Sequence, residues 1–303
     1  MELIKPGINI DFVGKMKVAF GISIAAIVIS VASVIWHGGL NYGIDFAGGT
    51  IVQLKFQKAT SADRIREAFK PIGLPNVIIQ PFGENEVVVR IGEAAAEGKE
   101  LASMIDQSLQ TALGAGTFEV RRVEMVGPKV GKDLTRKAIM AIVFSWIGML
   151  AYIAWRFEFR YAVGGIAALV HDTVITIGAM SLLNKEFDLT TVAALLTIIG
   201  YSINDTIVIF DRIRENTRKS SKQPLAQVIN DSVNQTLSRT LLMSFTVLLV
   251  LLALFFFGGA VIHDFSFALL VGIVVGTYSS IFVASPVVLA WERFRPSGIK
   301  RKK

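Results

Sequence analysis

Six stretches of the chain stay apolar long enough to cross a bilayer. About 20 mostly apolar residues suffice, because roughly 30 Å of hydrocarbon is crossed at 1.5 Å per residue. The stretches are Val18 to Trp36, Ala138 to Trp155, Tyr161 to Leu183, Leu189 to Phe210, Thr240 to Phe257 and Phe265 to Trp291. They predict a multi-pass α-helical membrane protein with six transmembrane helices. Four of them hold no acidic, basic or histidine residue, whereas the third holds His171 and Asp172 and the fourth holds Asp205. The first is longer than the apolar core of a signal peptide and ends in Val34-Ile35-Trp36, not in a small-residue cleavage site. It therefore reads as an uncleaved anchor.

Between the first two stretches, over residues 37–137, the pattern changes. Thr50 to Phe56 alternates as a strand, and Ser61 stands as the N-cap of an amphipathic helix through Phe69. Asn76 to Phe82 and Glu86 to Ile91 read as two strands joined by Gly83-Glu84-Asn85. Glu97 to Leu113 reads as a second helix and Thr117 to Val126 as a fourth strand. The order β-α-β-β-α-β predicts an α+β, ferredoxin-like domain with one sheet face under the helices and the other open to a partner. The expected organisation is thus an N-terminus and first helix over 1–36, this domain over 37–137, and a five-helix bundle over 138–303. Near 223–238, Leu225, Val228, Ile229, Val233 and Leu237 recur at helical spacing. Two settings fit that helix: lying along the membrane surface, or packing on the bundle.

Charge adds orientation. Charged residues make up 18% of the chain, against about 25% in soluble domains, and the formal net charge is +7. Assigned to the short connections and termini, seventeen Lys and Arg residues fall on one side of the six stretches, against Lys185 alone on the other. The positive-inside rule then puts both termini in the cytoplasm and the domain outside it. The positive excess is a topology signal, so no nucleic-acid partner is expected. With no cysteine, disulfides, thiolate metal sites and a cysteine nucleophile are excluded. His37, His171 and His263 are too widely spaced to suggest a metal site, and no cofactor is expected.

Ionisable groups inside a membrane are expensive, roughly 2.5–3.5 kcal/mol each on insertion scales, so each is a candidate for function. Asp205 leads. Thr197, Tyr201 and Asp205 are spaced to share one helix face, with Gly200 and Asn204 beside them. Such a stripe fits a carboxyl loaded and emptied of protons, or a permanently neutral Asp bonded to a neighbouring helix. Arg239, at the mouth of the fifth stretch, keeps its charge at accessible pH. It fits a fixed counter-ion to an acid, or an anchor snorkelling to the headgroups. His171 and Asp172 point about 100° apart and fit a proton relay or structural hydrogen bonding. Gly272, Gly276, Ser280 and Ala284 form a small-residue row for close helix packing, with Pro286 nearby to bend the helix. Gly127 to Asp133 is not a phosphate loop, having too few residues between its glycines and Asp in place of Ser or Thr. Ser202 lacks the second glycine of a nucleophile elbow and an acid-base partner set, so no enzyme is expected.

Several motifs together resemble the SecF family of bacterial protein-export subunits. They are Gly43-Ile-Asp45-Phe-Ala-Gly48-Gly49, Gly127-Pro128-Lys-Val-Gly131, His171-Asp172, the block from Ile199 to Asn216, Leu237-Ser-Arg239-Thr240 and Phe257-Gly-Gly259. The resemblance implies a partner of the SecD type within the resistance-nodulation-division superfamily, and association with the SecYEG channel and YajC. It implies use of the proton-motive force to promote late translocation and release of an unfolded secretory polypeptide across the cytoplasmic (inner) membrane. It links Asp205 and Arg239 to proton conduction, with Tyr201, Asn204, His171 and Asp172 as further candidates. The glycine motifs become candidate hinges. Two other readings stay open: a proton-driven exporter of small molecules from the same superfamily, and a passive scaffold.

Overall fold

The computed structural model describes residues 9–73, 77–81, 85–92, 99–114, 116–220 and 223–294. Outside these lie Lys5, Lys222, the Gly83-Glu84 part of the expected turn, the expected helix start at Glu97, and the basic tail from Arg295 to Lys303. The chain divides into two compact units, Tyr42–Ile139 and the remainder.

In the first unit, strands β1 (Gly49–Phe56), β2 (Ile78–Pro81), β3 (Glu86–Ile91) and β4 (Phe118–Val126) form an antiparallel sheet in the order β2-β3-β1-β4. Helix α1 (Ala62–Phe69) joins β1 to β2, and α2 (Lys99–Leu113) joins β3 to β4. Alternation sends Val52, Leu54, Phe56, Val89 and Ile91 to one face, where they pack with Ile65, Phe69, Ile105 and Leu109 of the helices. Gln53 and Lys55 point the other way, and Gln53 stands opposite Arg122. The element order follows the sequence pattern. Ser61 occupies the N-cap position of α1 with extended backbone but makes no capping hydrogen bond through its side chain.

The second unit is a helix bundle. Among the described residues six helices are long and apolar enough to span a membrane, which makes the chain a multi-pass membrane protein. The first is Phe12–Trp36, the third Phe159–Leu182, the fourth Leu189–Lys219 and the fifth Leu225–Phe257. The second, Pro128–Arg156, enters this unit from the other. Half or more of the apolar window is buried in the third, fourth and sixth helices, at 56%, 56% and 50%, against 22%, 6% and 17% in the first, second and fifth. The former three are the inner helices, and they carry the buried acidic and histidine residues discussed below.

Three elements differ from the sequence expectation. The helix near 223–238 is not separate: residues 225–257 form one rod, about 50 Å long at 1.5 Å per residue. No Gly or Pro interrupts it, and Leu225, Ile229, Val233 and Leu237 are buried in the bundle core. The first helix begins six residues earlier than expected, at Phe12, capped by Asp11, which accepts a 2.7 Å bond from the Gly14 N–H. The sixth helix is interrupted. Ala260–Ser279 passes into a π-helical turn over Ser280–Ala284 before Ser285–Phe294 resumes. Pro286 has no N–H to continue the α-ladder, so the turn before it widens.

Candidate functional site

The fourth helix places Asp205 inside the bundle, only 2% exposed. Its Oδ2 has no hydrogen-bond partner among the described residues. Arg239 of the fifth helix acts on it through space, without a hydrogen bond to that oxygen. One turn earlier, the buried Tyr201 hydroxyl approaches Ser244 of the fifth helix without reaching hydrogen-bond geometry. Thr197 and Asn204 depart from the expected stripe. Both are exposed on the outer face of the fourth helix, as is Gly200, and the Thr197 hydroxyl bonds the Ala193 carbonyl at 2.8 Å. The reason is angular: Asn204 lies 100° round the helix from Asp205, enough to put one outside when the other is fully inside.

Within one turn beyond Asp205 a polar cleft of about 310 Å³ opens between the second, fourth and fifth helices. Its walls include Tyr152 and Arg156 from the second, Asp211, Arg212 and Glu215 from the fourth, and Arg239 from the fifth. Arg212 is already engaged with Glu215 at 2.9 Å.

A second polar centre surrounds His171 and Asp172, 4% and 1% exposed. The pair bonds internally, His171 Nδ1 to Asp172 Oδ1 at 3.0 Å, while facing different neighbours. His171 Nε2 meets Ser23 Oγ of the first helix at 3.2 Å. Asp172 Oδ2 accepts from Ser202 Oγ of the fourth helix at 2.6 Å and Ser279 Oγ of the sixth at 2.8 Å. Tyr278 lies over the His171 ring, centroids 6.1 Å apart, and donates to the Ala19 carbonyl at 2.7 Å. Four helices therefore converge on this histidine–aspartate pair. Ser23, Tyr278 and Ser279 were not legible as site residues, since single hydroxyls in apolar helices usually bond their own backbone.

Gly276 and Gly272 make that convergence possible. A Cβ at Gly276 lies 3.0 Å from Ser202 Cβ, and one at Gly272 lies 2.9 Å from Ile198 Cγ2, so the sixth helix rests directly on the fourth. The lack of side chains at these two positions is what lets the helices come so close.

Within the other unit, the two glycine motifs meet each other. Gly43 is the N-cap of a short helix, Ile44–Ala47, which contains Asp45. Gly48 and Gly49 follow with φ of +75° and +122°. Gly127 precedes Pro128, the first residue of the second helix, and a Cβ at Gly131 would stand 2.8 Å from the Phe46 carbonyl. Likewise a Cβ at Gly49 would stand 2.6 Å from the Ile91 carbonyl. These glycines are needed for backbone approach.

A multi-pass helical membrane protein that buries a carboxylate and a histidine–aspartate pair among its helices, with an exposed arginine acting on the carboxylate, falls in the class of membrane proteins whose spans carry ionisable groups as candidate functional sites. The family description "Protein export membrane protein SecD/SecF, C-terminal" matches residues 105–294, and "SecD/SecF GG Motif" matches residues 33–60. The chain is 48% identical to the protein translocase subunit SecF of Magnetococcus marinus, over 95% of this chain and 94% of that one. It is 48% identical to the SecF of Calditerrivibrio nitroreducens, over 95% and 96%. The chain belongs to the SecF family of protein-export membrane proteins. Among solved structures it is similar to SecDF from Thermus, a translocon-associated membrane protein, with a TM-score of 0.85 and 39% identity. That match covers 97% of this chain and 40% of the longer SecDF chain. A SecDF structure in a super-membrane-facing form matches with a TM-score of 0.72.

Proposed function

We propose that this chain, paired with a SecD-type partner, uses the proton-motive force to promote late steps of polypeptide translocation across the bacterial inner membrane. Asp205 takes up and releases the proton, and Arg239 supplies the fixed positive charge beside it. The observation that carries this reading is a buried carboxylate with one unpartnered oxygen, within a turn of a polar cleft and under the influence of a permanent cation. One proton crossing the membrane releases about 2.3 kcal/mol per 100 mV, enough to bias a two-state packing by about fifty-fold. Protonation removes the attraction to Arg239 and resets how the fourth and fifth helices pack. His171 and Asp172 sit one helix away, bonded through Ser202 to the helix that holds Asp205, which fits a relay.

The exposed face of Thr197, Gly200 and Asn204 supports a protein partner. Polar and small residues in a spanning helix favour close contact with another helix over lipid. On this reading both termini are cytoplasmic, the ferredoxin-like domain is periplasmic, and the glycine contacts at Gly43–Gly49 and Gly127–Gly131 carry motion to it. The SecYEG channel, YajC and the emerging unfolded polypeptide complete the assembly.

The test is Asp205→Asn in vesicles reconstituted with the SecD-type partner, the export channel and its ATPase. Export is expected to lose its response to an imposed proton gradient while the ATP-driven component persists. An undiminished response rejects Asp205 as the coupling group.

A further inference from the structure

We propose that the cleft between the second, fourth and fifth helices holds the phosphate of an anionic phospholipid headgroup. Three guanidiniums enter it, Arg156, Arg212 and Arg239, against two carboxylates, Asp211 and Glu215. The balance is one positive charge, which complements one phosphodiester. Arg212 is committed to Glu215, but Arg156 and Arg239 have no carboxylate in ion-pair contact among the described residues. Arg156 is held instead by the Phe157 ring, its guanidinium carbon 5.3 Å from the centroid, which leaves its N–H fork free for a phosphate.

Position points to lipid over a soluble anion. Arg156 ends the second helix and Asp211 follows the apolar run of the fourth, so the cleft lies where hydrocarbon gives way to headgroups. Tyr152, 45% exposed, lines it, and Trp155, 85% exposed, precedes Arg156 in the chain, both amphipathic side chains suited to that depth. Basic pockets between helices at this level bind acidic headgroups. The volume of about 310 Å³ stands at the small end of the range for ligand sites, enough for a phosphate and its glycerol but not for a whole lipid. The acyl chains then run along the exposed second helix, where Phe144 and Ile147 are 61% and 53% exposed.

The experiment is native mass spectrometry and lipid titration of the full chain co-purified with its SecD-type partner, without a proton gradient. Phosphatidylglycerol is expected to bind at least tenfold more tightly than phosphatidylcholine. Arg156→Gln should lose that preference about tenfold, Arg156→Lys should recover part of it, and Lys17→Gln, an exposed residue outside the cleft, should leave it intact. Equal binding of the two lipids overturns the proposal, as does an Arg156→Gln protein that binds like the unaltered one. Competition by inorganic phosphate equal to that of the lipid assigns the cleft to a free anion and overturns the lipid source. Occupation of the cleft by an acidic partner segment, seen as no lipid binding in the complex, also overturns it. Because the readout needs no proton flux, it stands or falls separately from the role of Asp205.

Discussion

Gly178→Ala should loosen the first helix from the bundle. A Cβ at Gly178 would lie 2.5 Å from the Ser30 Cα of the first helix, where non-bonded carbons rest at about 3.5–4.0 Å. Backbone is in the way, so no rotamer change relieves the contact and the helices must separate by about 1 Å. Overpacking of this kind costs about 1–3 kcal/mol. Separation also stretches two bonds between the same helices, Ser33 Oγ to Ser181 Oγ at 2.9 Å and His171 Nε2 to Ser23 Oγ at 3.2 Å. Interhelical hydrogen bonds in membranes average about 0.6 kcal/mol, so the total loss is about 2–4 kcal/mol. Unfolding of the detergent-solubilised protein in graded denaturing detergent reads this directly. Ser30→Gly in the same chain should restore part of the loss, because it removes the side chain but not the Cα. A Gly178→Ala protein as stable as the unaltered one refutes the close approach.

Two further outcomes follow from other contacts. Arg160, 6% exposed, pairs with Glu292 at 2.6 Å and Glu158 at 2.9 Å, so Arg160→Ala takes the cation from one part-buried and one exposed carboxylate and should cost about 1–3 kcal/mol in thermal unfolding. Arg160→Lys should recover less than half, since Lys cannot reach both acids through one planar fork. Gly49→Ala should destabilise the sheet unit by more than 1 kcal/mol, measured by hydrogen exchange in the full chain, because φ is +122° and the Ile91 carbonyl blocks a Cβ. Gly38→Ala, at φ +71° in open space, should cost less.

Much of this architecture was legible because its signals are local. The strands of the sheet unit alternate with period two, and Val52, Leu54 and Phe56 fall to the core as that period requires. Apolar length sufficed to find the six spans. It did not find their ends, because the helices at Lys219 and Leu225 continue on polar residues that pack against each other, as Asn216 does on Ser232 and Gln235 at 2.9 Å. Asp205 stood out because a carboxylate amid apolar residues is conspicuous. The hydroxyls that gather on Asp172 come from positions 202 and 279, and nothing in the local pattern of either helix marks the partner they share. Nor does anything near Arg160 in the sequence mark its tie to Glu292, which spans 132 positions.

The head of the first helix is held by side chains from far along the chain. The Ile10 N–H donates to Asn234 Oδ1 and the Phe12 N–H to Asn230 Oδ1, both at 2.8 Å, across 224 and 218 positions. At ribosomal speeds of about 5–20 residues per second, those two asparagines emerge roughly 10–45 s after the amides they satisfy. Water, lipid headgroups or an insertion factor must serve those amides meanwhile. The clasp can close only once residue 234, at the polar start of the fifth helix, has been made, so a product that stops short of it keeps its leading helix untied.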